Sequence, residues 1–194
     1  LPREAKVREA FSLVGYQKLK LHGNQTASLA TEGMRLDLGG IAKGYAADAA
    51  LQVLREAGFP RSLVAASGDI AVGAPPIDAE GWAVGLASVE SPDNPDWNIR
   101  VANSAVSTSG DTHQFVDLGG KRYSHILDPK TGLGLTTRRS VSVIAPNATT
   151  TDALATALSI SGSNRSILAK YGNEVTARLI TLLPNGQVEE DWLP

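Results

Sequence analysis

Met34-Arg-Leu-Asp-Leu-Gly-Gly-Ile-Ala-Lys-Gly-Tyr-Ala-Ala-Asp48 is the stretch from which the fold is best read. A strand-like run over 34–38 meets the glycine pair Gly39-Gly40. The pattern beyond it predicts a helix over 42–57, stopped by Gly58 with Pro60 just past the end. Upstream, Val7, Phe11 and Val14 recur at helical spacing and predict a helix over 4–14 closed by Gly15, then short strands over 17–21 and 27–30, with Asn24 and Gly33 in turns. Downstream, strand-like runs at 62–66, 69–73, 82–87, 98–101, 115–118 and 122–127 follow one another between Gly, Pro and Asp turns. A strand over 141–145, helices over 150–160 and 165–171 and a strand over 177–182 complete the pattern. Many strands and few helices, out of strict alternation, define an α+β chain of mixed or antiparallel sheets with a few packed helices. With no internal repeat or linker, the 194 residues read as one domain.

Composition narrows the function. Hydrophobic residues make up 42% and charged residues 20%, an ordinary globular balance. A net charge of −2 with scattered Lys and Arg gives no basic stripe for nucleic acid. The absence of cysteine excludes disulfides, thiolate metal sites and a thiol nucleophile. No run reaches the roughly 18 apolar residues of a membrane span.

Five segments carry polar chemistry. In the first, Gly39 and Gly40 let backbone approach a ligand, the helix start offers N–H groups to an anion, and Lys43 adds charge. A plain strand-to-helix turn has the same composition, and the spacing fits neither a P-loop nor a dinucleotide fingerprint. Ala66-Ser-Gly-Asp-Ile70 reads first as hairpin chemistry. Ser107-Thr-Ser-Gly-Asp-Thr-His113 is rich in hydroxyls able to donate to phosphate or ribose, as is any polar loop. In Tyr123-Ser-His-Ile-Leu-Asp-Pro-Lys-Thr-Gly132 the Asp128-Pro129 turn sets His125 at a strand end, on the lip of the surface the sheet builds. A structural histidine there is the ordinary alternative. In Thr149-Thr-Thr-Asp-Ala-Leu-Ala-Thr-Ala-Leu158, Asp152 and Thr156 share one helix face and supply two hard oxygens suited to magnesium. The alternative has Asp152 complementing the helix dipole and Thr156 bonding back to its own helix.

Taken in order, LVGY at 13–16, DLGGIAKGYAAD, SGDI, STSGD, YSHILDPKTG and TTDALATAL resemble the ApbE family of FAD:protein FMN transferases over essentially the whole chain. The resemblance implies an ApbE-like (T-fold-like) α+β domain. It implies magnesium held by the Gly40 carbonyl, Asp152 and Thr156, with Ala155 where some members carry a second acid. Asp37, Lys43, His125 and Ile126 match positions that contact FAD, and His125 also matches a histidine needed for transfer. The implied reaction is attack of a target-protein Thr or Ser hydroxyl on the FMN-side phosphorus of FAD, releasing AMP. His125 takes the proton and Asp128 orients it. A hydrolase using the same metal site, splitting FAD to FMN and AMP, and a flavin-binding protein without turnover stay open beside it.

The chain departs from the family's pattern in one respect. Members begin with a further strand and FAD contacts that do not precede Leu1 here. The expectation is a fragment of the catalytic domain that either forms a homodimer or binds FAD more weakly than a complete chain. The resemblance also implies export to the bacterial cell envelope or periplasm, with a lipid anchor on an N-terminal part outside these residues.

Overall fold

The computed structural model describes residues 1–89, 94–95, 97–111 and 114–194. The chain runs through α1 (Glu4–Ser12), a 3-10 turn at Tyr16–Lys18, β1 (Leu19–His22), β2 (Thr26–Leu29), α2 (Ala42–Glu56), β3 (Leu63–Ala66), β4 (Asp69–Val72) and β5 (Trp82–Leu86). It continues with β6 (Trp97–Val101), β7 (Ser104–Gly110), β8 (Phe115–Leu118), β9 (Lys121–Ser124), β10 (Arg138–Ala145) and α3 (Ala148–Ser161). Two 3-10 turns, Arg165–Ile167 and Ala169–Glu174, lead to β11 (Thr176–Leu182) and β12 (Val188–Leu193).

Six strands form one antiparallel sheet in the order β12-β11-β10-β7-β4-β3, while β1-β2, β5-β6 and β8-β9 are separate hairpins. The period of two along each strand divides its residues between the faces. Val141, Val143 and Ala145 of β10, with Ala177 and Leu179 of β11, point to the helical face and pack on Leu154, Ala155 and Leu158 of α3. On that face Ala71 of β4 and Ala105 of β7 lie under Ala47 and Leu51 of α2. On the opposite face, Val72 and Val106 are covered by Val84 and Leu86 of β5 and Val101 of β6. The small residues in the second group let α2 sit close to the sheet.

The two helices meet more closely than side chains would allow. A Cβ on Gly44 would lie 2.1 Å from the Ala148 carbonyl oxygen, so the crossing requires glycine. Each helix also supplies a carboxylate to the other's free N–H groups. Asp48 of α2 accepts from the Ala148 and Thr149 amides at 2.7 and 2.8 Å, and Asp152 of α3 accepts from the Gly44 amide at 3.0 Å. Asn147 adds its own cap by accepting from the Thr150 amide.

The α+β class and most elements agree with the sequence reading; four segments differ. The strand expected over 34–38 does not form. Leu36 and Leu38 are exposed, and the Asp37 carboxylate accepts from the Gly39 amide at 2.7 Å, a local turn that competes with strand pairing. The run from Ser107, read as a polar loop, is instead the second half of β7 in the middle of the sheet, where Ser107 is buried. The helix expected over 165–171 is two 3-10 turns, and β12 was not foreseen because its Val-Glu-Glu-Asp start is polar.

Candidate functional site

At one end of the sheet the β3–β4 turn, the ends of β7 and β10, the start of α2, the middle of α3 and the segment after β9 enclose a cavity of about 910 Å³. All seven site residues expected from the sequence line it: Asp37, Gly40, Lys43, His125, Ile126, Asp152 and Thr156. They come from stretches up to 119 positions apart (37 to 156), gathered by the sheet order and the α2–α3 crossing. His113 lies outside the described residues.

The charged centre is a lysine between two buried carboxylates. Lys43 Nζ donates to Asp69 Oδ2 at 2.5 Å and stands 3.5 Å from Asp152 Oδ1. Asp69 and Asp152 are 2% and 4% exposed, while the lysine side chain is about half exposed, at 49%. Burial acts to lower the Lys43 pKa, but the hydrogen bond and charge of Asp69, joined by the charge of Asp152, outweigh it and hold the ammonium above its ordinary value. Two carboxylates and one ammonium leave the cluster with one net negative charge, which favours a further cation.

Asp69 carries no expected role, although its Ser67-Gly68-Asp69 motif is conspicuous. The hairpin reading of that motif holds: Ser67 and Gly68 form a two-residue turn between paired Ala66 and Asp69, with Ser67 in the left-handed region at φ 60°. The turn is fixed on β7, whose Thr108 amide donates to the Gly68 carbonyl at 3.0 Å. It therefore delivers Asp69 to the cavity. No local pattern could reveal this, because its partner Lys43 lies 26 residues away.

Gly40, Asp152 and Thr156 stand together. A Cβ on Gly40 would lie 3.2 Å from Thr156 Cγ2 and 3.3 Å from its Oγ1, so the backbone at this glycine lies directly against the threonine. Among the described residues the Thr156 hydroxyl has no hydrogen-bond partner, so the back-bonded alternative does not apply. Asp152 has one oxygen engaged by the Gly44 amide and the other turned to Lys43. No group of three or more His, Cys, Asp or Glu forms a metal cage among the described residues. A carbonyl, a carboxylate and a hydroxyl fit magnesium all the same, since that ion takes few protein ligands and keeps water or phosphate oxygens. Thr108 and Ser140 add hydroxyls to the wall.

The start of α2 is less open to an anion than the sequence suggests. Its Ala42 amide donates to the Leu38 carbonyl and its Gly44 amide to Asp152. Lys43 is thus the main positive group that this helix brings to the cavity.

His125 also lines the cavity and is exposed. Its ring Nδ1 and its backbone amide both meet the Gln114 carbonyl, at 3.1 and 3.0 Å. A carbonyl only accepts, so Nδ1 carries a proton, and in the neutral tautomer that this contact selects Nε2 is the acceptor nitrogen. Asp128 does not orient the ring: its Oδ1 accepts from the Lys130 amide at 2.8 Å and closes its own turn. That turn is braced by α1, where a Cβ on Gly132 would lie 2.7 Å from the Phe11 ring. Ile126 is buried, and only its edge of the cavity wall is available to a ligand.

Fold and cavity define an α+β protein whose site lies at the end of an antiparallel sheet, between two crossed helices and a histidine-bearing turn. Solved structures share this architecture. The ApbE protein from Thermotoga maritima superposes with a TM-score of 0.82 at 33% identity, over 98% of this chain and 62% of that one. Flavin transferase ApbE from Vibrio cholerae, as a histidine-to-glycine mutant, gives 0.83 at 27%, over 100% of this chain and 61% of that one. The FAD:protein FMN transferase of Treponema pallidum is 34% identical over 182 residues, 86% of this chain and 50% of that protein. That of Vibrio cholerae is 28% identical over 191 residues, 96% and 56%. The family model described as ApbE matches residues 1–179, and the chain belongs to the ApbE family. It spans about half the length of the curated relatives it matches.

Proposed function

We propose that this chain carries the catalytic site of a magnesium-dependent transferase that moves FMN from FAD onto a Thr or Ser hydroxyl of an acceptor protein and releases AMP. The observation that carries the reading is the convergence of Gly40, Asp152, Thr156, Lys43 and His125 on a single cavity, with Gly40 against Thr156 and Lys43 3.5 Å from Asp152. The names of the relatives support the transfer of FMN from FAD to a protein. From the family resemblance alone we further propose that the protein works in the bacterial cell envelope, held there by a lipid anchor.

In this reaction the acceptor oxygen forms a bond to the FMN-side phosphorus as the bond from that phosphorus to the AMP oxygen breaks. Such transfer asks mainly for positioning and charge neutralisation. The Gly40 carbonyl, Asp152 and Thr156 would hold magnesium, which would supply Lewis-acid charge at the pyrophosphate. Lys43 offsets the remaining negative charge from within the cavity. His125, its ring oriented by the Gln114 carbonyl at Nδ1, accepts the hydroxyl proton at Nε2. Asp37 and Ile126 border the flavin side.

The test incubates the protein with FAD and magnesium chloride, with and without a cell-envelope extract. AMP is read by chromatography and protein-bound flavin by fluorescence in a denaturing gel. Transfer gives both AMP and covalent flavin; AMP with only free FMN makes the protein a hydrolase, and no AMP removes the catalytic reading. His125→Ala should lower the transfer rate at least a hundredfold while changing FAD affinity less than threefold. Equal losses in both would make His125 a binding or structural residue.

A further inference from the structure

Among the described residues, Asp69 is the one buried carboxylate of the cavity that the proposed chemistry leaves without a task. It projects from a turn held rigidly by the strained Ser67 and by the Thr108 amide. It is also the stronger of the two partners of Lys43, with a hydrogen bond at 2.5 Å against a looser 3.5 Å approach to Asp152.

The geometry at Asp152 makes this pairing matter. One of its oxygens is committed to the Gly44 amide, so the other, Oδ1, is the one left to face a metal ion. Lys43 approaches that same Oδ1. The lysine ammonium and a divalent cation therefore compete for one oxygen. Lys43 sits in the first turn of α2, which places its ammonium within reach of both carboxylates.

We propose that Asp69 is a positioning residue that holds Lys43 away from Asp152, keeping Oδ1 available to magnesium and keeping the ammonium inside the cavity. This rests on the assignment of the metal to Asp152, Thr156 and Gly40. Without Asp69 the lysine has a single buried carboxylate left and settles on Asp152, where it blocks the ion. The Ser67-Gly68-Asp69 turn then serves the metal site without ligating it.

The experiment measures magnesium binding by calorimetry in the absence of FAD, so it does not depend on turnover. Asp69→Asn should weaken magnesium binding at least tenfold, and adding Lys43→Met to it should bring the affinity back to within about threefold of the wild type, because the competitor is gone. Lys43→Met alone should bind magnesium several-fold more tightly than the wild type, and this variant keeps the test open if Asp69→Asn fails to fold. Unchanged binding in Asp69→Asn, no rescue in the double variant, or no gain in Lys43→Met each overturns the proposal. A wild type that binds no magnesium overturns the metal assignment and this inference together. A wild type that binds it while the variants break the pattern overturns this inference alone.

Discussion

Asp152 shows how one side chain can serve both the fold and the site. It is nearly inaccessible, yet it receives the Gly44 amide on one oxygen and faces Lys43 with the other. Replacing it with alanine would leave a buried N–H without an acceptor, a loss of about 1–3 kcal/mol. The sequence alone suggests instead that alanine leaves the fold largely intact. Asparagine separates the two tasks, since its amide oxygen can still accept from Gly44 while the charge is lost. Asp152→Asn should therefore unfold at nearly the wild-type urea concentration, whereas Asp152→Ala unfolds earlier. Both should lose magnesium affinity by tenfold or more. If asparagine destabilised as much as alanine, the cap would be of no consequence; if it bound magnesium normally, the metal would lie elsewhere.

Among the elements, α2 and α3 set the site, because their first and middle turns carry Lys43, Asp152 and Thr156. Glycine in an exposed helix is improved by alanine by about 1 kcal/mol. At Gly44 the sign reverses. The new Cβ would meet the Ala148 carbonyl oxygen at 2.1 Å and the Asp152 Cβ at 2.8 Å, both in a buried crossing. The helices must part, so Gly44→Ala should cost about 3 kcal/mol in denaturant unfolding and weaken magnesium binding as Asp152 moves off its cap. A neutral or stabilising result would show that the crossing has slack. Much of this was legible in the sequence: the helices, most strands and seven residues that line one cavity follow from local patterns and family motifs. What was hidden depends on distant partners. Asp69 acquires its task from Lys43, Asp48 caps a helix a hundred residues on, and the hydroxyl-rich run becomes a strand because β4 and β10 flank it. The 34–38 run had strand-like composition and no neighbour to pair with.

For the molecule as a whole, the cavity is a joint. Its walls come from the β3–β4 turn, the sheet end, both long helices and the turn braced by α1, so a ligand there ties together parts that pack on separate core clusters. Binding only to the folded state raises stability by about 2.7 kcal/mol at a hundred times the dissociation constant. For a chain of this size each kcal/mol moves the melting temperature by about 2–4 °C. FAD at that concentration should thus raise Tm by about 5–11 °C, read by calorimetric melting. In the proposed complex magnesium would offset the charge of the FAD pyrophosphate, so each should bind more tightly in the presence of the other, by the same factor. The shift with both present should then exceed the sum of the separate shifts, and Asp152→Asn should remove that excess while keeping much of the effect of FAD alone. Strictly additive shifts in the wild type would mean that the two ligands do not meet, and the cavity would then hold flavin without the ion that the proposed chemistry calls for.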